Sequence, residues 1–240
     1  MTISFLQITD LLKIRHFSAV RLATLLQAHF NIKGVLLSGI SRTGSKIELN
    51  LAREQLMKLC DLLNLEPERF LIAPSIEDQR LSYGHFSNFL FEPLLGSPYR
   101  PDHFQSLSIQ NELQILTLNT VFLTDPLGPN ENHLQEVLAA IGDTHSFKGL
   151  FGYFPVEIWQ LDGKAPRKMI DDAIAASKLS TMITSAPQSV LHLSDPIPSM
   201  GTDGIQIYNY KPETNLLTLI PVDFTEDECF VCDSSTHIFR

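Results

Sequence analysis

Two short corners of the chain, Leu123-Thr124-Asp125-Pro126 and Leu193-Ser194-Asp195-Pro196, each set an aspartate directly after an apolar run. If those runs are parallel strands, Asp125 and Asp195 lie at the carboxyl edge of one sheet, where open α/β folds bind their ligands. Two carboxylates so placed would hold a Mg²⁺ ion or act as an acid–base pair. Gly128 and a helix opening at Asn130 would add backbone N–H donors for an anion. The chemistry would be metal-assisted hydrolysis or phosphoryl transfer, with Asp125 and Asp195 as the catalytic pair. Asp-Pro is also an ordinary turn opener, and turn chemistry alone accounts for both corners. Thr124, His192 and Ser194 stand close by, but no G-x-S-x-G elbow marks a nucleophile.

A second set of residues could meet phosphate. Arg15, Arg21, Lys33, Arg42 and Lys46 fall within one short stretch near the N-terminus, and nucleic-acid binding needs several such cations, because each neutralised phosphate releases counterions. Two helices followed by a hairpin, with Arg42 at its tip and Lys46 on its return strand, would form a helix-turn-helix with a wing. Ser41-Arg42, followed by the leucine-rich stretch towards Phe70, also resembles the end of a lambda-repressor-like domain. That resemblance implies a recognition helix opened by Ser41-Arg42, so it makes 40–49 helix and loop where the first reading makes it a hairpin. The plain alternative is a small helical unit docked on an acidic body.

Cys229-Phe230-Val231-Cys232 is a C-x-x-C with His237 close behind. A zinc site wants four ligands and only Cys60 remains. A redox pair wants the motif to open a helix, whereas the surroundings read as a strand, which turns the two sulfurs to opposite faces. The eight histidines show neither H-E-x-x-H nor H-x-H, and neither a Walker loop nor G-x-G-x-x-G is present. The chain therefore names no metal and no cofactor.

The elements that would position these residues read as follows. Ile3 to Ile14 has helical apolar spacing, and Ser18 caps a second helix. Val35–Leu37 and Ile47–Leu49 look like short strands around a glycine-bearing turn, and Asn50 could cap a third helix. Residues 76–104 are rich in proline and aromatic side chains and are expected to be an irregular connection that packs against a domain. Beyond them, strands at Leu113–Thr124, Leu150–Leu161 and Ser189–Leu193 alternate with helices at 130–141 and 165–179. A hairpin of Ile205–Tyr210 and Leu216–Val222 closes the chain. This order predicts an α/β fold, a parallel-centred mixed sheet flanked by helices, preceded by a small mostly helical N-terminal unit. The units would be 1–75, the connection 76–104, and an α/β domain over 105–240.

The chain carries net charge −9, distributed unevenly. Residues 1–70 hold nine Lys/Arg against six Asp/Glu, for +3, and the rest of the chain carries −12. Such an imbalance marks an anionic partner, or two parts that attract each other. No apolar run is long enough to span a membrane, the start lacks a basic leader, and three cysteines make no disulfide framework. A cytoplasmic protein is expected. With no catalytic signature, the expected function is that of an interaction, adaptor or subunit protein with a protein partner. Nucleic-acid binding through residues 1–70 and catalysis by Asp125 and Asp195 are the alternatives.

Overall fold

Ile3, Phe5, Leu6 and Ile8 are all fully buried, and so is Gln7 between them. A segment buried on both sides needs packing partners on both, and β1 (Ile3–Thr9) has them as a strand between two layers. The computed structural model describes residues 1–75, 78, 83–99, 105–117, 149–154, 181–184, 191–192, 199–201 and 204–238. From β1 the chain runs through α1 (Ala19–His29), β2 (Ile32–Ser38), α2 (Lys46–Leu63) and β3 (Phe70–Ile72), with β1, β2 and β3 parallel. The hairpin β10 (Ile205–Lys211) and β11 (Leu216–Phe224) adds to the other side of β1, antiparallel. Two short strands, β12 (Cys229–Val231) and β13 (Ser235–Ile238), both pair with β11 on its outer side. The first sheet is thus ordered β12-β11-β10-β1-β2-β3.

A second sheet holds β4 (Gln105–Ile109), β5 (Leu113–Thr117), β6 (Gly149–Phe154), β7 (Thr181–Thr184), β8 (Leu191–His192) and β9 (Ser199–Gly201). Its order is β4-β5-β6-β7-β9-β8, parallel from β5 through β9, with antiparallel strands at both edges. The fold is α/β with parallel-centred mixed sheets, as the strand and helix order implies. The C-terminal hairpin does extend a parallel sheet, but it is the sheet built on β1 rather than the one built on β5 and β6.

The period-two geometry of β1 divides the core. Leu6 and Ile8 face the helices and pack with Leu22 and Leu26 of α1 and Leu49, Leu56 and Leu59 of α2. Ile3 and Phe5 face the second sheet, where they join Leu107, Ile115, Phe151 and Ile183. Phe5 stacks flat on Tyr208 with centroids 4.9 Å apart, and Phe151 meets Tyr210 edge-on at 5.0 Å. Gln105 of β4 links the layers further: its side-chain amide donates to the Ile72 carbonyl at 2.9 Å and accepts from the Ile72 N–H at 3.3 Å. The edge strand β3 therefore finds in one side chain the hydrogen bonds a neighbouring strand would offer.

Three local expectations differ from the structure. Ile3–Ile14 is not a helix but β1 and a 3₁₀ turn at Leu11–Lys13, because burial on two faces outweighs its helical spacing. Ile47–Leu49 is not a strand: Lys46 opens α2, and Ser45, not Asn50, is the cap, accepting from the Glu48 N–H. Arg42 and Lys46 are consequently not the tip and return strand of a wing, and Ser41-Arg42 opens no recognition helix but belongs to the loop between β2 and α2. Within the connection expected to be irregular, Tyr83–Phe86 (α3), a π-helical turn at Ser87–Phe91 and Glu92–Leu95 (α4) form one helical run. Its aromatics explain themselves, since Phe86, Phe91 and Tyr99 meet within 6.0 Å and are buried against the helical face of the first sheet. Ser18 caps α1, accepting from the Arg21 N–H. The helices expected at 130–141 and 165–179 lie outside the described residues.

Candidate functional site

The carboxyl ends of β1, β2 and β3 form the edge where a parallel sheet presents ligand-binding groups. Three carboxylates stand there, Asp10 just after β1, Glu48 in the first turn of α2 and Asp78 beyond β3. Each has an internal occupation.

Asp78 is completely buried. Its Oδ1 accepts from the Ser41 N–H at 2.6 Å, and its Oδ2 from the N–H groups of Ser75 at 2.9 Å and Ile40 at 3.1 Å. The Ser75 hydroxyl donates to the same oxygen at 3.2 Å and accepts from the Asp78 N–H at 3.2 Å. That reciprocal pattern is a capping box, and the spacing Ser75-x-x-Asp78 spells it in the sequence. What the spacing does not spell is the reach across to the loop after β2. Burial holds the Asp78 carboxyl above its usual value, although the Ser75, Ser41 and Ile40 amides pull it down.

Ser45-x-x-Glu48 on α2 has the same spacing and forms one half of the device, the Ser45 hydroxyl accepting from the Glu48 N–H, while the Glu48 carboxylate turns to the loop before it. Its Oε2 accepts from the N–H groups of Thr43 at 2.8 Å and Arg42 at 3.1 Å, and from the Thr43 hydroxyl at 2.8 Å. The little burial it has pushes its carboxyl up, but the bonds from Thr43 and Arg42 prevail and hold it below the usual value. Asp10 sits in the left-handed region at φ 54°, and its Oδ1 pairs with Lys13 Nζ at 2.9 Å. Gly39, itself at φ +58°, lies so near that an added Cβ would come within 2.5 Å of Asp10 Oδ1. Beside Asp10 and Lys13 opens a pocket of about 640 Å³, which Arg15, His16, Asp223 and Glu226 also line. Its wall carries both signs of charge and selects no ligand charge.

Asp125 and Asp195 lie outside the described residues. The five candidate cations do not share one face. Lys33 is at the start of β2 and Arg42 beyond its end, roughly 20 Å apart along the strand direction. Arg21 is spent on the chain itself: its guanidinium donates to the carbonyls of Thr225 and Glu226 at 2.9 Å and of His16 at 2.6 Å, and lies 5.9 Å from the Phe224 ring centroid. Arg42 donates to the Leu12 carbonyl at 2.6 Å, and Lys46 Nζ stands 5.0 Å from the Phe89 ring centroid. Arg15 is exposed at the pocket. Cys229 and Cys232 do sit on and just past a strand, both as free thiols.

No family model matches the chain, and no curated protein matches it. Among solved structures it is similar to the crystal structure of Chaetomium thermophilum Vps29, at 10% identity and a TM-score of 0.44, over 99% of this chain and 98% of that one. A second crystal structure aligns over 100% of both chains at 11% identity and a TM-score of 0.47. Likenesses this distant assign no activity. Among the described residues, no helix is long and apolar enough to cross a membrane.

Proposed function

We propose that the chain is a non-catalytic interaction protein, an adaptor or subunit that binds a protein partner. The observation that carries this reading is the internal occupation of Asp78 and Glu48, two of the three carboxylates at the carboxyl edge of β1, β2 and β3. A general acid, a base or a metal ligand needs lone pairs free to meet a substrate or an ion. Asp78 instead accepts four hydrogen bonds from Ile40, Ser41 and Ser75, and Glu48 three from Arg42 and Thr43. These groups organise the loops at the edge, so the edge serves as scaffold. The free thiols of Cys60, Cys229 and Cys232 suit a reducing compartment and support a cytoplasmic site of action.

The test pairs two measurements on the full chain. Hydrolysis of chromogenic phosphomonoester, phosphodiester and carboxylic ester substrates is followed with Mg²⁺, Mn²⁺ or Zn²⁺ added, beside Asp10→Ala. Cross-linking in native cells then asks for a complex of defined stoichiometry. The expected result is such a complex, with no metal-dependent turnover. Metal-dependent turnover would overturn the reading, and its loss in Asp10→Ala would assign it to this edge.

A further inference from the structure

From Pro212 to Ile238 the chain carries six carboxylates and neither lysine nor arginine. Five of them, Asp223, Glu226, Asp227, Glu228 and Asp233, are exposed around the β11–β12 hairpin. Glu213 is paired with the N-terminal ammonium. Strand β12 ends the order of the first sheet, and its Phe230 and Val231 are 39% and 41% exposed. The direction of its backbone groups follows from the register. Val222, Asp223 and Phe224 face Val231, Phe230 and Cys229. The Thr225 N–H donates to the Glu228 carbonyl at 2.9 Å, and the Cys232 N–H to the Pro221 carbonyl at 2.8 Å. Hydrogen-bonded and non-hydrogen-bonded pairs alternate along an antiparallel ladder, so Glu228, Phe230 and Cys232 turn their backbone groups towards β11. The N–H and C=O of Cys229 and Val231 therefore point out of the sheet.

An edge strand with outward amides is a template for one more strand. Proteins protect such edges with lysine, proline, a bulge or a very short strand. β12 is three residues long and offers only two outward-facing residues. It contains neither lysine nor proline, however, the charges flanking it in sequence are all negative, and the nearby Arg21 guanidinium is held on the carbonyls of the turn. We infer that β12 is a docking edge for an extended basic segment of a partner protein, alternating apolar residues with lysine or arginine. The apolar residues would pack beside Val231, the cations would lie on the opposite face with Phe230, Asp223 and Glu228, and Asp233 would add its charge just past the end of the strand. A second copy of the chain is the wrong occupant, because edge-to-edge pairing would set these carboxylates against their own likeness. The inference rests on the reading of the chain as an interaction protein and says which surface and what partner chemistry that reading uses.

The probe is a fluorescein-labelled peptide Lys-Val-Arg-Val-Lys-Val-Arg, with a glutamate-for-cation analogue, titrated against the full chain by anisotropy. Binding is expected for the basic peptide alone, weakening between about 50 and 300 mM salt as surface charges are screened. Amide exchange at Cys229 and Val231 should slow when the peptide is present. Val231→Pro removes one outward N–H and leaves the β11 ladder intact, so affinity should fall at least about tenfold while the circular dichroism stays unchanged. Glu228→Lys with Asp233→Lys provides a second variant that needs no proline, with the same loss expected. Equal binding by both folded variants, equal binding of the glutamate peptide, or binding without protection of those two amides would each overturn the inference, as would a concentration-dependent dimer paired through β12. If the edge fails in this way while cells still yield a stoichiometric complex, the interaction reading stands and only its surface is wrong. Metal-dependent turnover would sink the broader reading instead.

Discussion

Asp78→Asn is the substitution that tests the staple most directly, because it keeps the size of the side chain and removes one acceptor. In the native arrangement Oδ2 takes three donors and Oδ1 takes one. The amide's least costly orientation keeps its oxygen at the Oδ2 position and sets its NH₂ against the Ser41 N–H, where the bond is now 2.6 Å. Two donors then face each other in a fully buried site. An orphaned buried donor costs about 1–3 kcal/mol, and turning the remaining charge-assisted bonds into neutral ones removes about 1 kcal/mol each. Relief of the buried charge offsets part of this. The net expectation is a loss of about 2–4 kcal/mol, which for a chain of this size lowers the melting temperature by roughly 5–15 °C. Urea and thermal unfolding followed by circular dichroism measure it, with amide exchange at Ile40 and Ser41 as the local readout. A melting temperature within about 2 °C of the parent, with those amides still protected, would refute the claim that Asp78 holds the loop after β2.

Two further expectations follow from the same geometry. Gly39→Ala should destabilise by about 2–4 kcal/mol, from a left-handed backbone and a Cβ forced against Asp10. A loss of only about 1–2 kcal/mol by urea unfolding would show that the Asp10 carboxylate swings aside and leaves the backbone cost alone, and a variant as stable as the parent would refute both contributions. Burial pushes the Cys60 thiol up to about 12 and the Cys229 thiol up to about 11, so at pH 8 only about one Cys229 in a thousand is thiolate, the nucleophilic form. Iodoacetamide labelling read by mass spectrometry should therefore reach exposed Cys232 first and leave Cys60 until unfolding. Its rate at Cys229 should rise about tenfold per pH unit from 8 to 10, and Cys60 reacting as fast as Cys232 in the native state would contradict the burial.

What was legible in the sequence depended on how many sides of an element are buried. The hairpin from Ile205 to Val222 and the strands at Leu113 and Leu150 read correctly because turn residues bracket runs of β-formers. Ile3–Thr9 misled because a strand covered on both faces shows no alternation, and its run of apolar residues happens to fit a helical period as well. Ile47-Glu48-Leu49 alternates like a strand only because the first turn of α2 exposes Ile47, at 80%, and buries Leu49. The signal that settles this stretch was present in Ser45-x-x-Glu48, and the same spacing in Ser75-x-x-Asp78 marks the second loop of the candidate edge. No local pattern, however, tells that Asp78 also reaches Ile40 and Ser41, because that contact exists only once β2 and β3 lie side by side.

The uneven charge of the chain takes on a different meaning once its cations are placed. The first third is basic and the rest acidic, and several of those basic groups are spent joining the two. Arg21 of α1 crosses to the carbonyls of the β11–β12 turn, Arg69 donates to the Ser108 carbonyl at 3.0 Å, and the N-terminal ammonium meets Glu213 at 2.6 Å. Arg21 and Arg69 bind main-chain oxygens, so they organise turns and strands without neutralising a carboxylate. The hairpin tip is thereby held in place by a cation while Glu226, Asp227 and Glu228 keep their charges facing water. A fold that only needed its halves to attract each other would pair side chain with side chain. This one fixes the backbone of the hairpin and leaves its carboxylates outside, which is the condition an acidic docking edge requires.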